Sequence, residues 1–132
     1  MGFLDNRGPQ LRALLRIMAA LLFMEHGLMK LFAFPAAQPG APSPLPAMLV
    51  AAAVLEVGGG ALIALGLFTR LAAFVCAGEM AVAYFMAHGS KTFWPALNGG
   101  DAAILFCFIF LYIAAAGPGA WSVDGMRGKN SG

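Results

Sequence analysis

Charge is scarce in this chain: 11% of its 132 residues are charged, against 61% hydrophobic, and its mean hydropathy is +0.80. A water-soluble domain covers its surface with roughly a quarter charged residues. The deficit excludes an ordinary soluble domain and points to a surface that meets lipid. Cysteine is also sparse, with Cys76 and Cys107 each alone in an apolar run. Without a Cys-x-x-Cys pair, neither a zinc knuckle nor a thioredoxin-type redox motif is available. Each thiol reads as a small buried apolar group, and no metal site is expected. The basic residues leave a net charge of +2 and a pI near 8.8. They sit mostly at segment ends and form no stripe, so nucleic acid is not an expected partner. The length suits one domain, residues 1–132.

What is present is long apolar runs. Crossing a bilayer takes about 20 helical residues, and four stretches qualify or come near. They run over Leu11–Phe34, Ala47–Phe68, Arg70–His88 and Asp101–Ala116. Five prolines among the twelve residues Pro35–Pro46 forbid a helix between the first two. Thr69-Arg70 is a tight turn, Gly89–Gly100 a loop, and Gly117-Pro118-Gly119 a stop signal. The polar, Gly-rich tail Ser122–Gly132 is expected to fray. The fold class is therefore all-α, a four-helix transmembrane bundle.

Orientation follows the basic residues. Arg7, Arg12, Arg16, Arg70, Arg127 and Lys129 fall on one side, Lys30 and Lys91 on the other. Both termini are thus expected in the cytoplasm and the chain in the cell membrane, multi-pass. Glu25-His26 and Lys30 interrupt the first apolar run in a way that a cleaved signal peptide tolerates poorly. Trp94 and Trp121 fall near opposite faces, where aromatic anchors are usual.

The informative residues are ionisable groups within the spans, because a charge at the bilayer centre costs about 2.5–3.5 kcal/mol on insertion scales. Glu25 lies nine residues before the outer end of helix 1, and Glu56 nine after the outer start of helix 2. Glu79 lies nine above the inner start of helix 3. At about 1.5 Å per residue each is about 13 Å deep, so all three reach one level of a core about 30 Å thick. His26 sits beside them, and Lys30, four residues on, shares its face. Glu25 projects about 100° from His26 and addresses a different neighbour. Three carboxylates at that depth require a proton on at least one, or pairing with His26, Lys30 or Arg16. His26, Glu56 and Glu79 are the candidate catalytic residues. Glu25, Lys30, His88, Asn98 and Asp101 are candidates for the pocket wall. The bland alternative is hydrogen-bonding glue between helices.

Two further patterns bear on packing. Phe23-Met24-Glu25-His26-Gly27 with Lys30 and Phe34-Pro35 echoes Phe85-Met86-Ala87-His88-Gly89 with Lys91 and Trp94-Pro95. That fits a duplicated two-helix unit, or chance convergence at outer helix ends. Gly58-Gly59-Gly60 lacks the strand–loop–helix context of a dinucleotide site and reads as close helix packing.

The chain resembles the DoxX family of membrane proteins. The likeness is carried by Arg16, His26-Gly27 and Lys30 in helix 1, and by Glu56-Val57-Gly58-Gly59-Gly60 with Leu62 and Gly66 in helix 2. It continues through Thr69-Arg70, Phe93-Trp94-Pro95 and Asn98-Gly99-Gly100-Asp101, and then Gly117-Pro118-Gly119-Ala120-Trp121-Ser122-Val123-Asp124. Many relatives have Glu at the place of Asp101. The resemblance implies Glu56, Asn98 and Asp101 as site residues, with His26, Lys30 and His88 beside them. It also implies a bacterial inner-membrane protein with redox or oxidative-stress associations, since the family takes its name from a small subunit linked to archaeal sulfur oxidation and thiosulfate:quinone oxidoreductase.

Three functions compete. A quinone-linked redox subunit would use the ionisable layer for proton exchange. Its quinone would arrive sideways from the bilayer. No haem, flavin or iron–sulfur motif is evident, so its electrons would come from a partner or a substrate. A non-catalytic subunit would dock on other membrane or redox-complex subunits. A small proton or solute transporter would use the same acidic layer.

Overall fold

The computed structural model describes residues 2–128, and among these the secondary structure is helical throughout. A short 3-10 turn, Gly2–Leu4, precedes α1 (Gly8–Phe32), α2 (Ala47–Leu65) and α3 (Thr69–Ala87). A single turn, α4 (Pro95–Asn98), leads into α5 (Asp101–Ala116), and α6 (Val123–Arg127) closes the described chain. Two helices, α2 and α3, are long and apolar enough to cross a membrane, and α5 is apolar but shorter.

The helix limits have local causes. Helix α1 begins three residues before the expected Leu11 because Pro9, at its first turn, has the backbone angle a helix start needs. It stops at Phe32 rather than Phe34, where Ala33 turns left-handed (φ 51°). Gly66 ends α2 in the same conformation (φ 72°), and Leu67 N–H returns to the Leu62 carbonyl at 2.9 Å. Three residues, 66–68, separate α2 from α3, so the connection is as short as expected but lies before Thr69-Arg70, which begin α3.

Helix α1 packs mainly on α2, and α3 mainly on α5, with α2 against α3 completing the assembly. Small residues set the closest approaches. A Cβ on Gly27 would press on the Ala53 carbonyl and Glu56, while Gly59 faces Cys76 Sγ and Gly60 faces Met24. Two glycines of the Gly58-Gly59-Gly60 run thus act in packing, and Gly58 faces open space. Phe23 reaches from α1 to α5, with its ring 5.5 Å from Phe106 and 4.9 Å from Phe110. Cys76 is buried and Cys107 half-buried, both as free thiols.

One end of the assembly is closed by arginines. Arg16, 0% exposed, donates to the carbonyls of Pro118, Ala120 (3.1 Å), Trp121 (2.9 Å) and Ala64 (3.4 Å). Arg12 donates to the Ala116 carbonyl, and Arg70 to those of Ala114 and Ala115. Apart from Ala64, in the last turn of α2, these carbonyls lie at the end of α5 and just beyond, where a helix leaves acceptors unused. Arg16 is therefore committed to backbone and is not the base that pairs with the carboxylates, leaving that role to the other candidates.

The tail also departs from expectation. Ser122 Oγ accepts the Gly125 N–H at 2.9 Å and starts α6. Asp124 is buried, its carboxylate accepting the N–H groups of Phe68 and Thr69 at 2.9 Å each. Residues 122–128 are thus docked rather than frayed. The remainder of the tail, including Lys129, lies outside the described residues.

Candidate functional site

At the opposite end, between α1, α2, α3 and α5, lies a cavity of about 560 Å³. Its polar wall is His26 and Lys30 of α1, Glu56 of α2, Glu79 of α3 and His88 just after α3, with Phe106 of α5 facing them. Lys30 Nζ donates to Glu56 Oε1 at 2.7 Å, with side-chain exposures of 13% and 3%. The geometry is local in origin: Gly27 lets α1 lie against the backbone around Ala53 and Glu56, so Lys30, one turn on, meets the carboxylate. The Glu79 carboxyl abuts that of Glu56 from α3. Its Oε1 is buried without a hydrogen-bond partner. One ammonium therefore faces two carboxyls.

The histidines are oriented alike. His26 Nδ1 donates to the Leu22 carbonyl at 3.0 Å, and His88 Nδ1 donates to the Asn98 carbonyl at 3.0 Å. A carbonyl can only accept, so the Nδ1 proton is fixed and Nε2 of each neutral ring is left as a proton acceptor. The His26 ring also stands edge-on to Phe106, 5.9 Å between centroids. The echo between the first and third helices thus brings His26 and His88 to one cavity. It does not extend to the lysines, since Lys91 is exposed.

Asn98 is buried and holds the loop rather than the cavity wall. Its Nδ2 donates to Tyr84 Oη (2.9 Å) and the Thr92 carbonyl (3.0 Å), and its Oδ1 accepts the Gly100 N–H (2.8 Å). Through its carbonyl it positions His88. Asp101 is exposed in the first turn of α5, where a carboxylate favours the helix dipole, and is not part of the wall. Glu25 is likewise exposed and outside the wall. Two residues along α1 from Phe23 is a turn of about 200°, which aims it away from the core. Among the described residues it has no hydrogen bond or ion pair. Of the three mid-depth glutamates, two converge and the third faces outward.

Sequence reasoning missed the apolar and loop part of the wall: Phe23, Met80, Phe106, and Gln38 with Pro39. The last two belong to the proline-rich connection, where composition signals a loop but not where it folds back.

Two apolar helices of spanning length, α2 and α3, beside a cavity with ionisable walls mark a helical, membrane-compatible protein. More narrowly, the chain belongs to the DoxX family, whose model matches residues 11–89, and it is accordingly membrane-associated. It is 41% identical over 128 residues to an uncharacterized protein of Haemophilus influenzae, covering 94% of this chain and 96% of that one. No solved structure matches.

Proposed function

We propose that this protein is a multi-pass inner-membrane subunit, spanning the bilayer with α1, α2, α3 and α5 and keeping both termini in the cytoplasm. Its cavity receives the head of a lipid-soluble redox carrier of the quinone class. The observation that carries the reading is the buried Lys30–Glu56 pair, with Glu79 beside it, in the wall of a cavity of about 560 Å³. Buried ionisable clusters are costly in a membrane and mark functional paths.

The donor set suits a quinone, whose reduction takes up two electrons and two protons when the molecule is bound. Lys30 has ammonium protons beyond the one given to Glu56 and can donate to a carbonyl oxygen. Glu56 and Glu79, two carboxyls against one cation, can share and hand on a proton. His26 and His88 each offer Nε2 as acceptor to a hydroxyl of the reduced carrier, with the ring held by a backbone carbonyl. His26, Glu56 and Glu79 are thus the proton-handling residues. Lys30 and His88 bind, and Asn98 positions His88. Phe23 and Phe106 exclude water from the side facing the core.

The test is titration of the purified protein in nanodiscs with a short-chain benzoquinone, followed by exchange with a reduced sulfur donor. Saturable binding lost in Glu56→Gln and Lys30→Met supports the reading. Equal binding by both folded variants removes it. A reporter fused to the C-terminus tests orientation, with a periplasmic signal counting against it.

A second reading, a subunit docked in a larger membrane complex, is favoured by Glu25 alone. An outward carboxylate without an internal partner is eased by a neighbouring chain that supplies a donor. Gentle-detergent purification followed by native mass measurement distinguishes a complex from a lone chain.

A further inference from the structure

Beside the ionisable cavity the structure carries a second, apolar recess of about 290 Å³ between α3 and α5. Tyr84 and Phe85 line it from one helix, Ile104 and Phe108 from the other. No charged residue contributes to its wall. Its rim faces outward, with Phe85 72% and Phe108 64% exposed. Met80 and Ala103 belong to the walls of both recesses. They stand on adjacent helices and form the partition between a charged chamber and a lipid-facing groove.

From this adjacency we propose that the α3–α5 groove seats the hydrocarbon tail of the same molecule whose head occupies the ionisable cavity. Entry is sideways past Met80 and Ala103. The proposal rests on the cavity's function as a head-group site and adds to it the route and the ligand class. That class is a single-tailed amphiphile with a compact hydrogen-bonding head.

Three observations favour that occupant. The polar groups are confined to one side of the partition and the apolar wall to the other, matching the two halves of an amphiphile. The partition is made of side chains suited to yielding. Methionine has three rotatable bonds and a soft thioether, and alanine across from it projects a single methyl. The groove also opens where the proposed bilayer lies, so a tail would stay among apolar groups throughout transfer and only the head would exchange surroundings.

The experiment uses the full chain in nanodiscs at fixed lipid content and compares a tailless dimethoxybenzoquinone with its decyl-tailed counterpart. Each is titrated into the wild type and into Ile104→Trp, which fills the groove at a residue outside the cavity wall. A decyl probe bearing a diazirine at its tail end is crosslinked in parallel and the labelled peptides mapped. Expected are a loss of about tenfold for the tailed compound in the variant, unchanged tailless binding, and label on α3 and α5 that unlabelled tailed quinone displaces. If Ile104→Trp misfolds, the crosslinking map on wild type decides alone. Unchanged tailed binding in a folded variant, or label on α1 and α2, overturns the tail groove while leaving the head site standing. Label displaced equally by phosphatidylethanolamine overturns it too, showing only an annular lipid seat. Failure of both compounds to bind the wild type overturns the head-group reading and this inference with it.

Discussion

Asp124 Oδ2 accepts the backbone N–H of Thr69 at 2.9 Å, so α3 is capped by a residue of the last helix rather than by its own leading residue. Phe68, at the cap position, is left-handed (φ 49°) and has no side-chain acceptor. The carboxylate fills that place and meets the positive end of the α3 dipole.

Asp124→Ala is expected to cost about 0.5–2 kcal/mol, the range for a lost N-cap. Thermal unfolding in detergent checks it, with Asp124→Asn at the mild end.

The same carboxylate makes stability depend on pH. Burial alone would raise its pKa, but the N–H groups of Thr69 and Phe68 and the charge of Arg127 together outweigh burial and hold it below the usual carboxylate range. With the folded value depressed, the contribution is full above the unfolded value of about 3.9 and is lost as pH falls through the folded one. The gap in melting temperature between wild type and Asp124→Asn should therefore be present at neutral pH and vanish in strong acid. A gap that persists or widens in acid would contradict the cap.

Breaking the Lys30–Glu56 pair from one side strands a buried charge, and Lys30→Met is expected to destabilise by about 3–5 kcal/mol. Adding Glu56→Leu should recover much of that loss. Additive losses in the double-mutant cycle would mean that the two groups do not interact.

Arg16→Met leaves the carbonyls of Pro118, Ala120 and Trp121 without their donor. Hydrogen exchange should rise across residues 117–124 while α2 and α3 stay protected. Uniform loss of protection would show that the clasp and the helices unfold as one unit.

Glu25→Leu removes an outward carboxylate that has no hydrogen bond or ion pair to a described residue. Ligand affinity in the cavity should stay within about twofold, since no wall residue is disturbed. A large loss would place Glu25 in the site after all.

The elements were largely legible in the chain. Proline density and Gly-Pro-Gly punctuate the apolar runs sharply, and α5 ends where Gly117 begins, as read. Level along the helices was legible too, because rise along a helix is linear in residue number, and Glu56 and Glu79 do meet. Azimuth was not. Which face of α1 is inward depends on where Gly27 and Gly60 let α2 approach, and Glu25 lies on the far side of that contact. The long-range roles of Arg16 and Asp124 were equally hidden, since their acceptors and donors are backbone groups that carry no sequence signature.

The arginine clasp has a consequence for biosynthesis. During translation α1 emerges long before residues 118–121 exist, and until then the Arg16 guanidinium lacks most of its acceptors. The first helix can form early, yet its cationic end is sealed only when residues 118–121 have left the ribosome. A nascent chain arrested before Pro118 should therefore hold α1 unlocked, however complete its four long helices are.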